Sequence, residues 1–147
     1  IETELKINEY VDNICVCGDS NHNYLIALIV PNRVKLQTLS KLSDSNESKL
    51  EFNELVNDSK VIDAVLSSIK ITAIEAGLMK YEIPQKVKLC EEEWTPENGL
   101  ITAAMKVRRK QIQEFYANDI KAMYSTDINA NQNRMQNGSD NKQINIL

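Results

Sequence analysis

The chain has 147 residues, of which 42% are hydrophobic and 26% charged, a composition that suits one domain with its own core. Its 17 Lys and Arg residues are outnumbered by 21 Asp and Glu residues. The net charge is therefore −4, and no overall positive field exists to attract nucleic acid or anionic lipid. The sequence contains neither a run approaching the roughly 18 apolar residues of a membrane span nor an N-terminal signal segment.

The first residues form a helix-like run that begins at Ile1 rather than at a methionine. This start indicates a fragment of a longer protein. We expect the fragment itself to be soluble, and any membrane contact of the parent to be made through the missing part.

Cysteine and histidine do not form a recognisable site in the sequence. Cys15, Cys17 and Cys90 are odd in number and lack the spacing of a disulfide framework or a zinc site. We interpret them as reduced thiols in a cytosolic-type compartment. The single histidine, His22, lies among turn formers and is interpreted as a solvated loop residue. No metal site is predicted.

Two apolar runs near the N-terminus predict a β-hairpin. Residues 11–17 and 24–30 are rich in Val, Ile and Leu, and a cluster of turn-forming residues separates them. Pro31 is expected to close the second strand, because proline has no N–H to donate to a sheet ladder.

Two helices are predicted between this hairpin and a third strand. The first covers residues 33–42, and the second begins after the possible capping residues 57–59 and ends near Gly77. A polar loop over residues 43–48 lies between them. Their predicted inner faces are Val34, Leu36 and Leu39 in the first helix, and Ile62, Val65, Leu66, Ile69, Ala73 and Ala76 in the second.

Alternating charged and apolar residues predict the third strand at 86–90, followed by a loop over 91–99. A final helix is predicted over 107–124, and the Asn- and Gln-rich residues 125–147 are predicted to be disordered. The fold class is therefore α+β, with a small sheet of about three strands that includes the hairpin, packed by helices. The apolar stripe of the final helix is Ile112, Phe115, Tyr116, Ile120 and Met123.

One basic segment indicates chemistry. Lys106 follows a turn-rich loop and lies just before a helix that opens with Arg108, Arg109 and Lys110. Cations are unfavourable at a helix N-terminus, which already carries a partial positive charge. The cluster is easier to understand if it meets an anion from elsewhere, such as a phosphate or a carboxylate on another domain. A solvated basic face is the alternative that these charges leave open.

The same segment carries a family resemblance. Residues 94–102, Trp-Thr-Pro-Glu-Asn-Gly-Leu-Ile-Thr, lead into Lys-Val-Arg-Arg-Lys at 106–110. Together they resemble the C-terminal signature of long-chain acyl-CoA synthetases, members of the adenylate-forming superfamily. The two strands of the predicted hairpin and residues 80–84 resemble further landmarks of this family in the same order. The resemblance covers roughly residues 1–124, and the tail over 125–147 has no counterpart.

The resemblance implies that residues 1–124 form the mobile C-terminal lid of an ATP-dependent long-chain fatty acid–CoA ligase. An N-terminal adenylation domain of the same chain would bind ATP and the fatty acid, and Mg²⁺ and coenzyme A would complete the set of cofactors and substrates. Lys106 falls on the catalytic lysine of the superfamily, and Arg109 falls on its motif arginine. Met105 stands where most members have glycine. Arg108, Arg109 and Lys110 are candidates for contacts with phosphate or coenzyme A.

The resemblance also implies where the parent acts and what the fragment lacks. The parent is expected at the cytosolic face of the endoplasmic reticulum, the outer mitochondrial membrane or a lipid droplet. The isolated domain is expected to be inactive, because it has neither an ATP pocket nor an acyl tunnel. Trp94 is interpreted as a packing or domain-contact residue. The alternative function is a non-catalytic interaction module whose basic helix start, residues 108–110, grips an acidic protein or RNA.

Overall fold

The computed structural model describes residues 1–43 and 51–125, with the backbone alone described at 40–43. The chain divides into two compact units, Ile1–Ile112 and Gln113–Leu147. The predicted α+β class is confirmed, since the first unit contains a three-stranded mixed sheet and helices. The predicted polar loop over 43–48 and the predicted disordered tail over 125–147 lie, apart from their first residues, outside the described part of the chain.

The sheet consists of β1 (Val11–Cys17), β2 (Ile26–Pro31) and β3 (Lys86–Leu89), in the order β1-β2-β3. β1 pairs antiparallel with β2, and β2 pairs parallel with β3. The predicted strands are confirmed, although β2 ends at Pro31, which pairs with Val11. The proline is tolerated there because the register shifts between Val11 and Asn13, so the ladder is already interrupted at this end.

The longest helix has the N-terminal cap that its sequence predicts. Asp58 accepts hydrogen bonds on its side chain from Lys60 N at 2.8 Å and from Val61 N at 3.3 Å. Gly77, with φ +82°, follows the end of this helix in the left-handed conformation typical of helix C-termini. The helices are α1 (Glu2–Leu5), α2 (Arg33–Ser43), α3 (Phe52–Leu55), α4 (Ser59–Glu75) and α5 (Arg109–Phe115), with a 3₁₀ turn at Lys80–Glu82.

The sheet buries apolar side chains on both of its faces, because successive residues of a strand point to opposite sides. One face carries Ile14, Val16, Ala27, Ile29, Val87 and Leu89, which belong to a core shared with Val65, Ile69 and Ala73 of α4. The opposite face carries Cys15, Cys17, Ile26 and Leu28, which are also buried. On this second face, Cys15 Sγ lies 3.7 Å from Nη1 of Arg109 in the basic segment.

Two predicted inner-face residues are exposed instead. Val34 of α2 is 70% exposed, whereas Leu36 is fully buried. Positions two residues apart on a helix point about 200° apart, so both cannot face the core. Ala76, predicted to lie on the inner face of α4, follows the last residue of that helix and is exposed.

The second unit begins within α5, and its described residues continue as a helix over 117–125. The predicted single helix over 107–124 is therefore interrupted at Tyr116 and begins two residues late, at Arg109. Tyr116 and Tyr124 are buried, but Phe115 is 55% exposed, so its place in the predicted apolar stripe was wrong. The interruption at Tyr116 breaks the period on which that stripe was based.

Candidate functional site

Lys106 lies near the tip of a short β-hairpin formed by residues 100–108, which we name the lysine hairpin. Sequence reasoning expected a loop that runs directly into a helix, and missed this local pairing. Backbone contacts join the two arms at three successive levels. From base to tip they are Arg108 N to Leu100 O at 3.0 Å, the antiparallel bridge between Ile101 and Val107, and Thr102 N to Lys106 O at 2.8 Å.

The tip of the lysine hairpin is a tight turn that places Met105 in the left-handed region, with φ +65°. Met105 N donates to Thr102 O at 2.8 Å, and Lys106 N donates to Thr102 Oγ1 at 3.1 Å. Three-residue hairpin loops use this geometry, a turn followed by one left-handed residue. Glycine adopts this conformation without steric cost, whereas the side chain of Met105 is strained in it.

The base of the lysine hairpin is anchored by buried apolar residues and by Asn98. Trp94, Leu100 and Ile101 are each at most 3% exposed, so Trp94 is a packing residue within this fold. Asn98 accepts on its side-chain oxygen from Thr95 N at 3.0 Å and Leu100 N at 3.2 Å. Its amide nitrogen donates to Glu93 O at 2.8 Å. Burial and the hydrogen bonds of Asn98 therefore hold the base from which the two arms of the hairpin extend.

The side chain of Lys106 is exposed, and it makes no ion pair with any residue in the described ranges. An exposed, unpaired ammonium on an ordered hairpin can be presented to an anion on another molecule or domain. Its long flexible stem allows small adjustments of the charge without moving the backbone.

The three basic residues at and just after the end of the hairpin, 108–110, have different surroundings. Arg108 donates from Nη1 to Gly99 O at 3.3 Å and so closes the hairpin base. Lys110 is exposed. Arg109 is held intramolecularly: one guanidinium nitrogen donates to Val16 O, and the other donates to the Glu2 carboxylate. The hydrogen bond to Glu2 is the main cause of a raised pKa of Arg109.

Glu2 is a contributor that the sequence analysis missed. Its Oε1 accepts from Val16 N at 3.3 Å as well as from Arg109. Glu2 and Arg109 are separated by 107 positions in the sequence. A glutamate in a short amphipathic run gives no sequence signal for such a contact.

The cysteine nearest this cluster is buried and protonated. Cys15 Sγ lies 4.0 Å from Cys17 Sγ and 3.7 Å from Arg109 Nη1. The hydrogen bond with Cys17 and then burial raise the pKa of the Cys15 thiol far above its usual range. Because the thiolate is the reactive form, this thiol is not suited to be a nucleophile.

The described ranges contain neither a metal-binding cluster nor a membrane-spanning helix. Residues 1–43 and 51–125 contain no group of three His, Cys, Asp or Glu side chains arranged to hold a metal ion. Within the same ranges, no helix combines the length and the apolar character that crossing a bilayer requires.

Known proteins with similar sequences are long-chain acyl-CoA synthetases, although no family model matches the chain. The chain is 37% identical over 125 residues to long chain acyl-CoA synthetase 8 of Arabidopsis thaliana, a match that covers 85% of the chain and 17% of that protein. It is 33% identical over 129 residues to long-chain-fatty-acid–CoA ligase 1 of Saccharomyces cerevisiae, with 86% and 18% covered. The chain thus spans less than one fifth of the length of these relatives.

Similar solved structures are adenylation domains. The adenylation domain of a carboxylate reductase from Mycobacterium chelonae matches 84% of the chain and 17% of its own, with a TM-score of 0.68 and 26% identity. A didomain of a carboxylic acid reductase from Segniliparus rugosus, in complex with AMP, matches 85% of the chain and 15% of its own, with the same TM-score and identity. Sequence and fold together show that this chain is homologous to long-chain acyl-CoA synthetases and shares its fold with adenylation domains of the AMP-binding (adenylate-forming) superfamily.

Proposed function

We propose that this chain is the mobile C-terminal lid of a long-chain fatty acid–CoA ligase, and that Lys106 is its catalytic cation. The observation that carries the proposal is the presentation of Lys106, exposed and without an ion pair among the described residues, on a hydrogen-bonded hairpin in a homologue of these ligases. In the intact protein, the N-terminal adenylation domain would hold ATP and the long-chain fatty acid.

A lysine suits the first half-reaction because of charge. The fatty carboxylate must approach the α-phosphate of ATP, and both groups are anionic. As the carboxylate oxygen bonds to phosphorus and pyrophosphate leaves, negative charge shifts onto the phosphoryl oxygens. A compact ammonium placed between these groups lowers the repulsion and stabilises the transition state. Mg²⁺ would share the phosphate charge in the full enzyme, and we assign none of the described residues to it.

The second half-reaction explains why the lysine is carried on a lid. The thiol of coenzyme A must attack the acyl carbonyl and displace AMP, along a path that a closed lysine hairpin would obstruct. A lid that rotates between the two half-reactions removes this conflict, and domain rotations of this kind are a known class of conformational step. Arg108 and Lys110 are the proposed candidates for contacts with phosphate or coenzyme A. The parent would act at the cytosolic face of an intracellular membrane.

The test is Lys106→Ala in the full-length parent, with the two half-reactions measured separately. Acyl-adenylate formation should fall by about a hundredfold or more, as expected for loss of one preorganised electrostatic group. Thioester formation from supplied acyl-adenylate should be largely retained. Lys60→Ala, which changes another exposed lysine at the start of α4, is the matched control and should leave both rates unchanged.

Equal loss of both half-reactions in Lys106→Ala would mean that the lysine is structural, and no loss would refute the proposal. The alternative interaction module is less well supported, because the chain has a net charge of −4 and Arg109 is already engaged within the chain. That alternative predicts binding to an acidic protein or RNA that depends on the basic residues at 108–110 and not on Lys106.

A further inference from the structure

We propose that Arg109 is a positioning residue, which together with Glu2 clamps the lysine hairpin to the free edge of the sheet. This inference rests on the proposed function of Lys106 and deepens it. It assigns the motif arginine a role within the lid rather than a contact with a nucleotide or with coenzyme A.

The contacts of Glu2 and Arg109 lie at the outer edge of β1, beside which the described sheet has no further strand. In the described sheet β1 pairs only with β2, so its other edge is open. An open edge presents backbone N–H and C=O groups that need partners. At Val16 both groups are satisfied by side chains, since Val16 N donates to Glu2 Oε1 and Val16 O accepts from Arg109. The pair Glu2 and Arg109 thus replaces one rung of a neighbouring strand.

The clamp also links this edge to the hairpin. Arg109 is the first residue of α5 and directly follows Arg108, whose N–H closes the hairpin base on Leu100 O at 3.0 Å. The side chain of Arg109 therefore fixes the backbone at the foot of the arm that carries Lys106. A shift of the backbone at residues 108–109 along the edge of β1 would move the whole hairpin, because successive backbone contacts join its two arms.

Both terminal nitrogens of the Arg109 guanidinium take part in these contacts. One nitrogen serves Val16 O, with Cys15 Sγ close by, and the other serves Glu2 in an ion pair. A planar guanidinium can serve two acceptors at once with its fixed geometry, which a lysine ammonium at the same position cannot reproduce. A phosphate that took either of these nitrogens away from its acceptor would break the contact with Val16 O or the ion pair with Glu2.

The experiment compares Glu2→Ala, Arg109→Ala and Arg109→Lys with the double variant Glu2→Ala/Arg109→Ala in the full-length parent. Each Ala variant should lower kcat for acyl-adenylate formation by about tenfold or more, because small displacements of a catalytic group are costly. KM for ATP and for coenzyme A should stay within about twofold. The double variant should be no worse than Arg109→Ala, since one clamp is lost either way, and Arg109→Lys should fall between wild type and Arg109→Ala.

Hydrogen exchange at the Val16 amide supplies a second readout that does not depend on catalysis. It should become faster in each Ala variant, because the amide loses its bond to Glu2 or the support of Arg109. Glu9→Ala removes a different surface ion pair, with Lys35 at 3.7 Å, and should change neither readout.

Three outcomes would overturn the inference. A rise in KM for ATP or coenzyme A in Arg109→Ala, with Glu2→Ala neutral, would make Arg109 a ligand contact. If Val16 exchange became faster without a loss in kcat, Glu2 and Arg109 would only protect the sheet edge and would not position Lys106. If the exchange were unchanged, the two residues would not hold Val16 at all. Failure of the proposed function is a separate result, shown by full activity of Lys106→Ala.

Discussion

The α4 core and the lysine hairpin are ordered by different physical means. Along α4, Val65, Ile69 and Ala73 are completely buried against the sheet, so apolar burial holds the element in place. In the lysine hairpin, backbone hydrogen bonds and a buried base hold two arms whose tip is exposed. An exposed side chain such as that of Lys106 can therefore be held in position without being buried, provided that the backbone that carries it is paired.

The largest effect on stability is expected in the core. Ile69→Ala should lower the free energy of unfolding by about 3 kcal/mol, because it removes buried methylene groups and leaves a cavity. The measurement is urea denaturation of the 147-residue chain. Ile71→Ala is the control on the same helix, since Ile71 is 57% exposed, and should change stability by less than about 0.5 kcal/mol. Equal losses would contradict the assignment of the inner face.

Substitutions of Asn98 test how much its hydrogen bonds stabilise the base of the hairpin. Asn98→Ala should cost about 1 kcal/mol, because it removes the acceptor for two backbone N–H groups and the donor to Glu93 O. Asn98→Asp keeps the acceptor but turns the donor into an anionic oxygen that faces Glu93 O, so the loss should also be about 1 kcal/mol. Denaturation monitored by Trp94 fluorescence reports both. A larger loss in the Asp variant would indicate that the donor, not the acceptor, holds the loop.

The N-terminal cap of α4 should affect the free energy of unfolding about as much as Asn98 does in the lysine hairpin. Asp58→Ala should destabilise the chain by about 1 kcal/mol, because Lys60 N and Val61 N lose their acceptor. Asp58→Asn retains a capping oxygen and should cost only a few tenths of this value. Thermal unfolding followed by circular dichroism distinguishes the two variants. Indistinguishable melting curves would mean that the cap contributes little.

The smallest effect is expected at the tip of the hairpin. Met105→Gly should stabilise the chain by about 0.5 kcal/mol, since glycine removes the left-handed steric cost but adds entropy to the unfolded chain. Ala104→Gly is the matched control: its φ is not positive, so it should only lose stability. Urea denaturation measures both changes. A loss in Met105→Gly would show that the methionine side chain contributes contacts that outweigh its backbone cost.

Much of the fold was predictable because its signals are local. The apolar run of β1, the alternation of β3, the three- and four-residue spacing of α4 and the Asp58 cap are all patterns within one element. The errors have local causes too. Phe115 was assigned to an apolar stripe that the break at Tyr116 interrupts, and Val34 was placed on a face two residues out of phase.

The α+β class and the family resemblance around Lys106 could both be inferred from the order of the residues alone. Three-dimensional packing was needed to show that this segment is a hairpin with a left-handed residue at its tip, and that Arg109 is held by Glu2 and Val16. The two kinds of feature differ in the sequence separation of the residues that form them. Periods of two or 3.6 residues are written along one element, whereas a side chain that meets a strand edge 93 positions away depends on how all the elements pack.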